Sequence, residues 1–203
     1  GGFYLDILKD RLYTAKSTGV SRRSAQSALF HITHSLVRLL APILSFTAEE
    51  VWGNLTSKEG DSVLLHTWYK IPLQTDTKSL IQRWTRLREL RSEVQKQLEE
   101  SRAKGIIGSS LSAVVNISAS GDDFSLLDSL GDDLRLVFVA SEVEIIKTKD
   151  SSEKSILVTP SSHFKCERCW HYRKDVGYKP DHPTICARCV SNLFGKGEER
   201  KFA

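Results

Sequence analysis

Four cysteines, and no others in 203 residues, fall near the end of the chain: Cys166, Cys169, Cys186 and Cys189. They form two C-x2-C pairs separated by sixteen residues. Two residues between paired cysteines let one tight turn aim both sulfurs at a single ion, and two such knuckles complete a tetrahedron. The spacing therefore predicts one zinc ion held by Cys166, Cys169, Cys186 and Cys189. A site closed by four thiolates leaves no position for water, so the expected role is structural. The last 43 residues (161–203) are too few to bury a self-sufficient core. Apparent binding energies of about 10–16 kcal/mol make zinc the natural staple for such a segment. Disulfides are disfavoured by the absence of a secretory signal, and a thioredoxin-like redox pair would need a βαβ setting that is missing here. Iron, in a rubredoxin-like or cluster site, is the alternative the spacing leaves. His163, His171 and His182 lie close in sequence as alternative ligands.

Bases and aromatics are interleaved around these ligands. Arg168 sits inside the first knuckle, Trp170 directly after it, and Arg173 and Lys174 follow. A ring carried on a metal-held turn can stack a nucleobase for about 1–3 kcal/mol, with cations on the phosphates. Arg168, Trp170, Arg173 and Lys174 are thus candidate nucleic-acid contacts; the plainer reading is that Trp170 covers the zinc site. A second basic run is Arg83, Arg86, Arg88 and Arg91. On one helix these point in several directions, so a solvated face is the first reading and phosphate contact the second. The formal charge of +4 is uneven: +3 over residues 1–100, −3 over 101–160 and +4 over 161–203. Basic ends around an acidic middle point to a polyanionic partner. No Gly-rich phosphate loop, HExxH or nucleophile constellation is present, so no catalytic residue is expected. His31 and His34 read as packing or surface residues.

The elements that position these groups follow from hydrophobic period. Tyr4, Leu8 and Leu12 recur at helical spacing, as do Ala25, Leu29, Ile32, Leu36 and Leu39, until Pro42 ends that helix. Thr47 and Glu50 suit a capping box for the next helix, with Phe46 stapled onto Val51. Asn54 to Asp76 is turn-rich, with an extended piece near Val63 to Trp68. Leu80, Trp84, Leu87, Val94 and Leu98 mark a further helix that stops at Gly105. The period then changes to two: Leu111, Ala113, Val115 and Ile117 predict a strand, Asp122 to Leu130 a short helix, and Leu134–Ala140 and Glu142–Lys147 two more strands. Thr148 to Ser162 reads as a linker. The expected fold is mainly α: a helical-bundle domain (1–104), a small α/β junction and linker (105–160), and a four-cysteine zinc module (161–203). The most apolar stretch, Leu36 to Phe46, is broken by Arg38 and Pro42, so no membrane span is expected. The lack of methionine and a start directly on a helical pattern are expected of a piece of a longer chain.

Four stretches carry a family resemblance: "FYLDILKDRLYT" (3–14), "RRSAQSALFHITHSLVRLLAPILSFTAEEVW" (22–52), "RSEVQKQLEESRAKGIIGSSLSAVV" (91–115) and "CERCWHYRKDVG…ICARCVSNLFGKGEERKFA" (166–203). Together they resemble the C-terminal part of the bacterial isoleucyl-tRNA synthetase family, class I aminoacyl-tRNA synthetases. The ending "ERKFA" resembles that family's C-terminus. The resemblance implies an anticodon-binding helical domain, an α/β junction and a zinc module. It places the zinc on Cys166, Cys169, Cys186 and Cys189, and Arg168 and Trp170 near the anticodon loop. It implies isoleucine tRNA and the rest of the same polypeptide as partners, a monomeric cytoplasmic protein, and ATP bound only in a catalytic domain whose HIGH and KMSKS motifs do not occur here. Residues 1–203 alone are then expected to be inactive. Two other readings stand beside it. One is a DNA-glycosylase-type zinc finger, which shares the cysteine spacing; the other is a purely structural zinc-stapled scaffold.

Overall fold

A computed structural model describes residues 2–56 and 60–202. Seven α-helices and five strands are present among them, and helix predominates. By packing the chain divides into two compact units, Gly1–Arg22 with Asp76–Ala203, and Arg23–Thr75.

The larger unit is built on α1 (Gly2–Thr14), α4 (Thr77–Ala103) and a three-stranded sheet. Leu87, Leu90, Val94 and Leu98 return to one face of α4 at helical spacing and are all buried. They meet the inward face of β1 (Ala113–Ala119), where Ala113, Val115, Ile117 and Ala119 alternate with half-buried residues. β1 is the central strand. It runs parallel to β2 (Glu142–Lys147), with Val115 opposite Val143, and antiparallel to β3 (Ser155–Pro160), with Val115 opposite Val158. The parallel pair needs a crossover, supplied by α5 (Gly121–Asp128) and α6 (Leu134–Phe138).

Two expectations fail here. Leu134–Ala140 is not a strand: its first five residues form α6, and all five are buried. A short apolar run enclosed on every side shows no period to separate strand from helix. Val139, at φ +58, turns the chain out of it in a left-handed conformation. Thr148–Ser162 is not a plain linker either, because β3 pairs along nearly the whole of β1. Only Val158 of β3 is buried, so its sequence carries almost no amphipathic signal.

The smaller unit holds most of α2 (Val20–Leu40), then α3 (Ser45–Leu55) and the excursion that follows. Its core is Val37, Ala41, Ala48, Trp52 and Val63. α3 begins at Ser45, ahead of the expected capping box. Leu44 stands at the N-cap without a side-chain hydrogen bond, and Phe46 is 94% exposed rather than stapled. Glu49 instead accepts a hydrogen bond from the Ser62 hydroxyl. The expected extended piece is a single 3-10 turn, Val63–Leu65, whose Leu64 amide donates to Ser62 Oγ. His34 is buried and lies flat against Tyr69, while Arg38 covers the Trp52 ring at 4.5 Å.

Candidate metal centre and nucleic-acid interface

β4 (Phe164–Lys165) and β5 (Tyr172–Arg173) form an antiparallel ribbon whose connection is the first knuckle. Within it the Trp170 amide donates to the Cys166 carbonyl at 2.8 Å and the Cys166 amide to the His171 carbonyl at 2.9 Å. The turn requires a left-handed residue, and Trp170 occupies that position at φ +65. The second knuckle opens α7 (Ala187–Phe194): Cys186 is its N-cap and Cys189 lies in its first turn. The Cys186 amide also donates to Cys166 Sγ at 3.3 Å, joining the knuckles. Val176 and Ile185 pack around them.

All four sulfurs lie within 4.8 Å of one another and their residues are buried. Cys166 to Cys189 is 3.7 Å and Cys169 to Cys186 is 3.8 Å. A zinc ion about 2.3 Å from four tetrahedral sulfurs sets them about 3.8 Å apart, so the cage has the ion's dimensions. Hydrogen bonds from Cys166 and the other two thiols hold Cys169 below the ordinary thiol range, whereas contact with Cys166 and Cys169 pushes Cys186 and Cys189 upward. Four sulfurs this close cannot all ionise alone; a divalent cation lets them do so. The four residues fit a structural zinc ion, with no side chain left over to activate water. The nearby histidines stay outside the cage. His171 contacts the Cys169 carbonyl through Nδ1 at 3.1 Å, and His182 stacks on Phe194 at 4.3 Å.

Arg168 points inward. Its Nη1 donates to the Thr14 carbonyl at 2.6 Å and lies 3.6 Å from Cys189 Sγ; its Nη2 reaches the Tyr13 carbonyl at 3.4 Å. It seats the knuckle on the end of α1 and places positive charge beside a metal-binding sulfur. Trp170 does the opposite: 60% exposed, it presents its ring outward with Lys165 Nζ 5.5 Å above it. The ring stands over a largely apolar groove of about 510 Å³, bounded also by Tyr13, Leu136, Val139 and His171. Lys174 is exposed, and Arg173 sits 3.8–3.9 Å from Asp175 and Asp132.

The basic run on α4 separates into distinct roles. Arg86 grips both oxygens of Asp123 at 2.8 and 2.7 Å and also reaches Glu89. Arg91 donates to the Val137 carbonyl at 2.8 Å. Arg83 bonds to the Ser129 hydroxyl at 3.0 Å, and Arg88, exposed, leans over Phe3. Arg86 and Arg91 therefore fasten α4 to the α/β part of the unit.

One arrangement had no sequence signal. Asp10 on α1 accepts from Arg188 and Arg200, and Glu198 binds Arg200 and Asn192. Burial raises the Asp10 carboxyl, but the hydrogen bonds and charge of Arg188, then the charge of Arg200, hold it well below the carboxylate range. These charges lie far apart in sequence and among ordinary surface-type residues, so no local pattern could pair them. Trp170's left-handed backbone was equally hidden.

Residues 1–117 match the family described as "Anticodon-binding domain of tRNA ligase", and residues 164–192 match "Zinc finger found in FPG and IleRS". Along its whole length the chain is 62% identical to an isoleucine–tRNA ligase of Nitrosomonas europaea, of which it covers 22%. It is 55% identical to an isoleucine–tRNA ligase of a Janthinobacterium species, again covering 22% of that protein. Over 98% of its length it is 53% identical to that of Dechloromonas aromatica, covering 21% of it. The chain thus spans about a fifth of the length of the curated relatives it matches.

Proposed function

The chain belongs to the family of anticodon-binding domains of tRNA ligases, and from that premise we propose that it is the tRNA-recognising part of an isoleucine–tRNA ligase. The observation that carries this reading is the zinc-type knuckle that presents an exposed Trp170 ring beside Lys165. Unpaired loop bases have free faces, and a fixed aromatic ring is the side chain that takes them. In this reading Trp170 stacks a base of the anticodon arm, while Arg173 and Lys174 meet its phosphates. Arg168 seats the turn on α1. Arg83 and Arg88 are the members of the α4 run that remain exposed enough to serve as outlying phosphate contacts, with Arg86 and Arg91 fastening the helix that carries them.

The contribution to the reaction is placement. ATP-dependent activation of isoleucine and its transfer to tRNA belong to the rest of the ligase. Residues 1–104 serve as the helical anticodon-binding domain, 105–160 as the junction and 161–203 as the zinc module of a monomeric, cytoplasmic enzyme. The helical match over residues 1–117 favours this over the glycosylase-type finger. Among the described residues no helix is long and apolar enough to cross a membrane.

The test is a titration of the zinc-loaded chain with isoleucine tRNA and with a non-cognate tRNA at two salt concentrations. Cognate preference, with affinity falling steeply as salt rises, is the expected result. Equal binding to both tRNAs, or none, would overturn the reading in favour of a zinc-stapled scaffold.

A further inference from the structure

A second, separate cavity of about 190 Å³ is lined by Asp132, Arg135, Glu142, His163, Arg173 and Lys174. Its unusual member is Arg135, which is 4% exposed. The Arg135 Nε donates to Asp132 at 3.0 Å, but Nη1 is buried with no hydrogen-bond partner. Asp132 is a weak counter-ion: its side chain is 70% exposed and it also faces Arg173, at 3.9 Å. Burial, and after it the charge of Arg188, push the Arg135 guanidinium below its ordinary value, with Asp132 opposing only in part. A buried cation this poorly matched is costly unless further negative charge reaches it.

The rest of the lining supplies cations for that charge. Lys174 is exposed and has no ion pair among the described residues. Arg173 contacts its carboxylates only at 3.8 and 3.9 Å, beyond hydrogen-bond length. His163 stands 3.9 Å from Glu142. Three fixed cations, Arg135, Arg173 and Lys174, thus line the cleft with two carboxylates, Asp132 and Glu142; a third, Asp175, lies outside the lining, 3.8 Å from Arg173. The volume suits a tetrahedral oxyanion and a few waters, each of which needs about 30 Å³.

We propose that this cleft binds one phosphate group, gripped by Arg173 and Lys174 at its mouth with the Arg135 guanidinium in its wall. Guanidinium groups match phosphate oxygens in geometry as well as charge. The phosphate is free in solution or part of a polynucleotide backbone; the chemistry of the site is the same. The proposal shares Arg173 and Lys174 with the tRNA reading but does not rest on it, since charge and geometry alone carry it and its test contains no RNA.

The zinc-loaded chain is titrated with inorganic phosphate against sodium chloride of equal ionic strength, following the backbone amide resonances of Val143, Arg173 and Lys174. A saturable shift confined to this cleft is expected, weakened about tenfold or more in Arg173→Gln and in Lys174→Gln. Dimethyl phosphate, a mimic of the nucleic-acid backbone, is titrated in the same way. A matching response identifies a polynucleotide phosphodiester as the natural occupant, and a response to inorganic phosphate alone identifies a free phosphate. Arg135→Met, checked first for retained fold, should abolish both responses. No saturable shift with either anion, or shifts unchanged in Arg173→Gln and Lys174→Gln, overturns the proposal.

Discussion

Arg188 holds Asp10 in a two-pronged grip, Nη1 to Oδ1 at 2.7 Å and Nη2 to Oδ2 at 2.9 Å, across 178 residues of sequence. The pair joins α1 to the first turn of α7, one residue from the Cys189 ligand. Arg200 and Glu198 complete a nearly enclosed group of four charges. Removing one partner would leave the others buried and unmatched, a loss of about 3–5 kcal/mol. Asp10→Ala should therefore lower the unfolding free energy of the zinc-loaded chain by that amount in a urea titration. A loss below about 1 kcal/mol would show that water replaces the carboxylate freely.

Acid should act on the same group with a defined sign. Asp10 and Glu198 both sit below their ordinary values of 3.8 and 4.5, because burial, which raises them, is outweighed by the neighbouring arginines. The unfolded chain therefore takes up protons before the folded one does. Their stabilisation is complete above about pH 4.5 and declines as pH falls further. Unfolding free energies of the parent and Asp10→Asn, compared from pH 7 downward, should converge below that point; subtraction removes any acid loss of metal common to both. A gap that persists undiminished would refute the linkage.

Chelation should collapse the zinc module while sparing the α4–sheet core, whose buried residues belong to a separate cluster. All four thiols, buried in the folded chain, should become reactive toward a disulfide reagent only after the metal is removed. Cys169→Ser should reproduce the chelated state. Reaction of the thiols at full zinc loading would contradict a closed site.

Trp170 allows binding and folding to be separated. Its left-handed backbone costs a non-glycine residue about 1–2 kcal/mol, so Trp170→Gly relieves strain while deleting the ring. Its thermal midpoint should stay level or rise, whereas tRNA affinity should fall about 5- to 150-fold, the value of one stacked base. A variant that keeps parental affinity would mean the ring only shields the metal.

The arginines of α4 should separate by partner rather than by position. Arg91→Ala strips a hydrogen bond from the Val137 carbonyl, with a side chain only 15% exposed, and should cost about 1–3 kcal/mol. Arg88→Ala should leave denaturant midpoints unchanged. Equal effects in the two variants would show that the run behaves as one solvated face.

Local pattern made much of this molecule legible. The period-3.6 positions of α4 and the period-2 positions of β1 became core because each element buries one face, which is what such patterns encode. The cysteine spacing marked the cage because two-residue loops constrain sulfur positions locally. What stayed hidden was set by distant packing. α6 is enclosed all round and so shows no period. β3 owes its place to pairing with β1, not to its own apolar content. Arg135 and Arg168 look like any surface arginine until the chain folds around them; only the folded surroundings distinguish a guanidinium that seats a knuckle from one left undersupplied with partners.

The grip between α1 and α7 also orders events during synthesis. At about 5–20 residues per second, the ribosome delivers Arg188 about 9–36 seconds after Asp10. Throughout that interval α1 carries a carboxylate built for burial whose partners, Arg188 and Arg200, do not yet exist. The contact between α1 and the zinc module therefore forms only once α7 has left the ribosome, whereas the α4–sheet core, a separate cluster, does not wait for it. Mutations in α1 should accordingly affect yield through a waiting nascent chain, before they are felt as stability in the finished one.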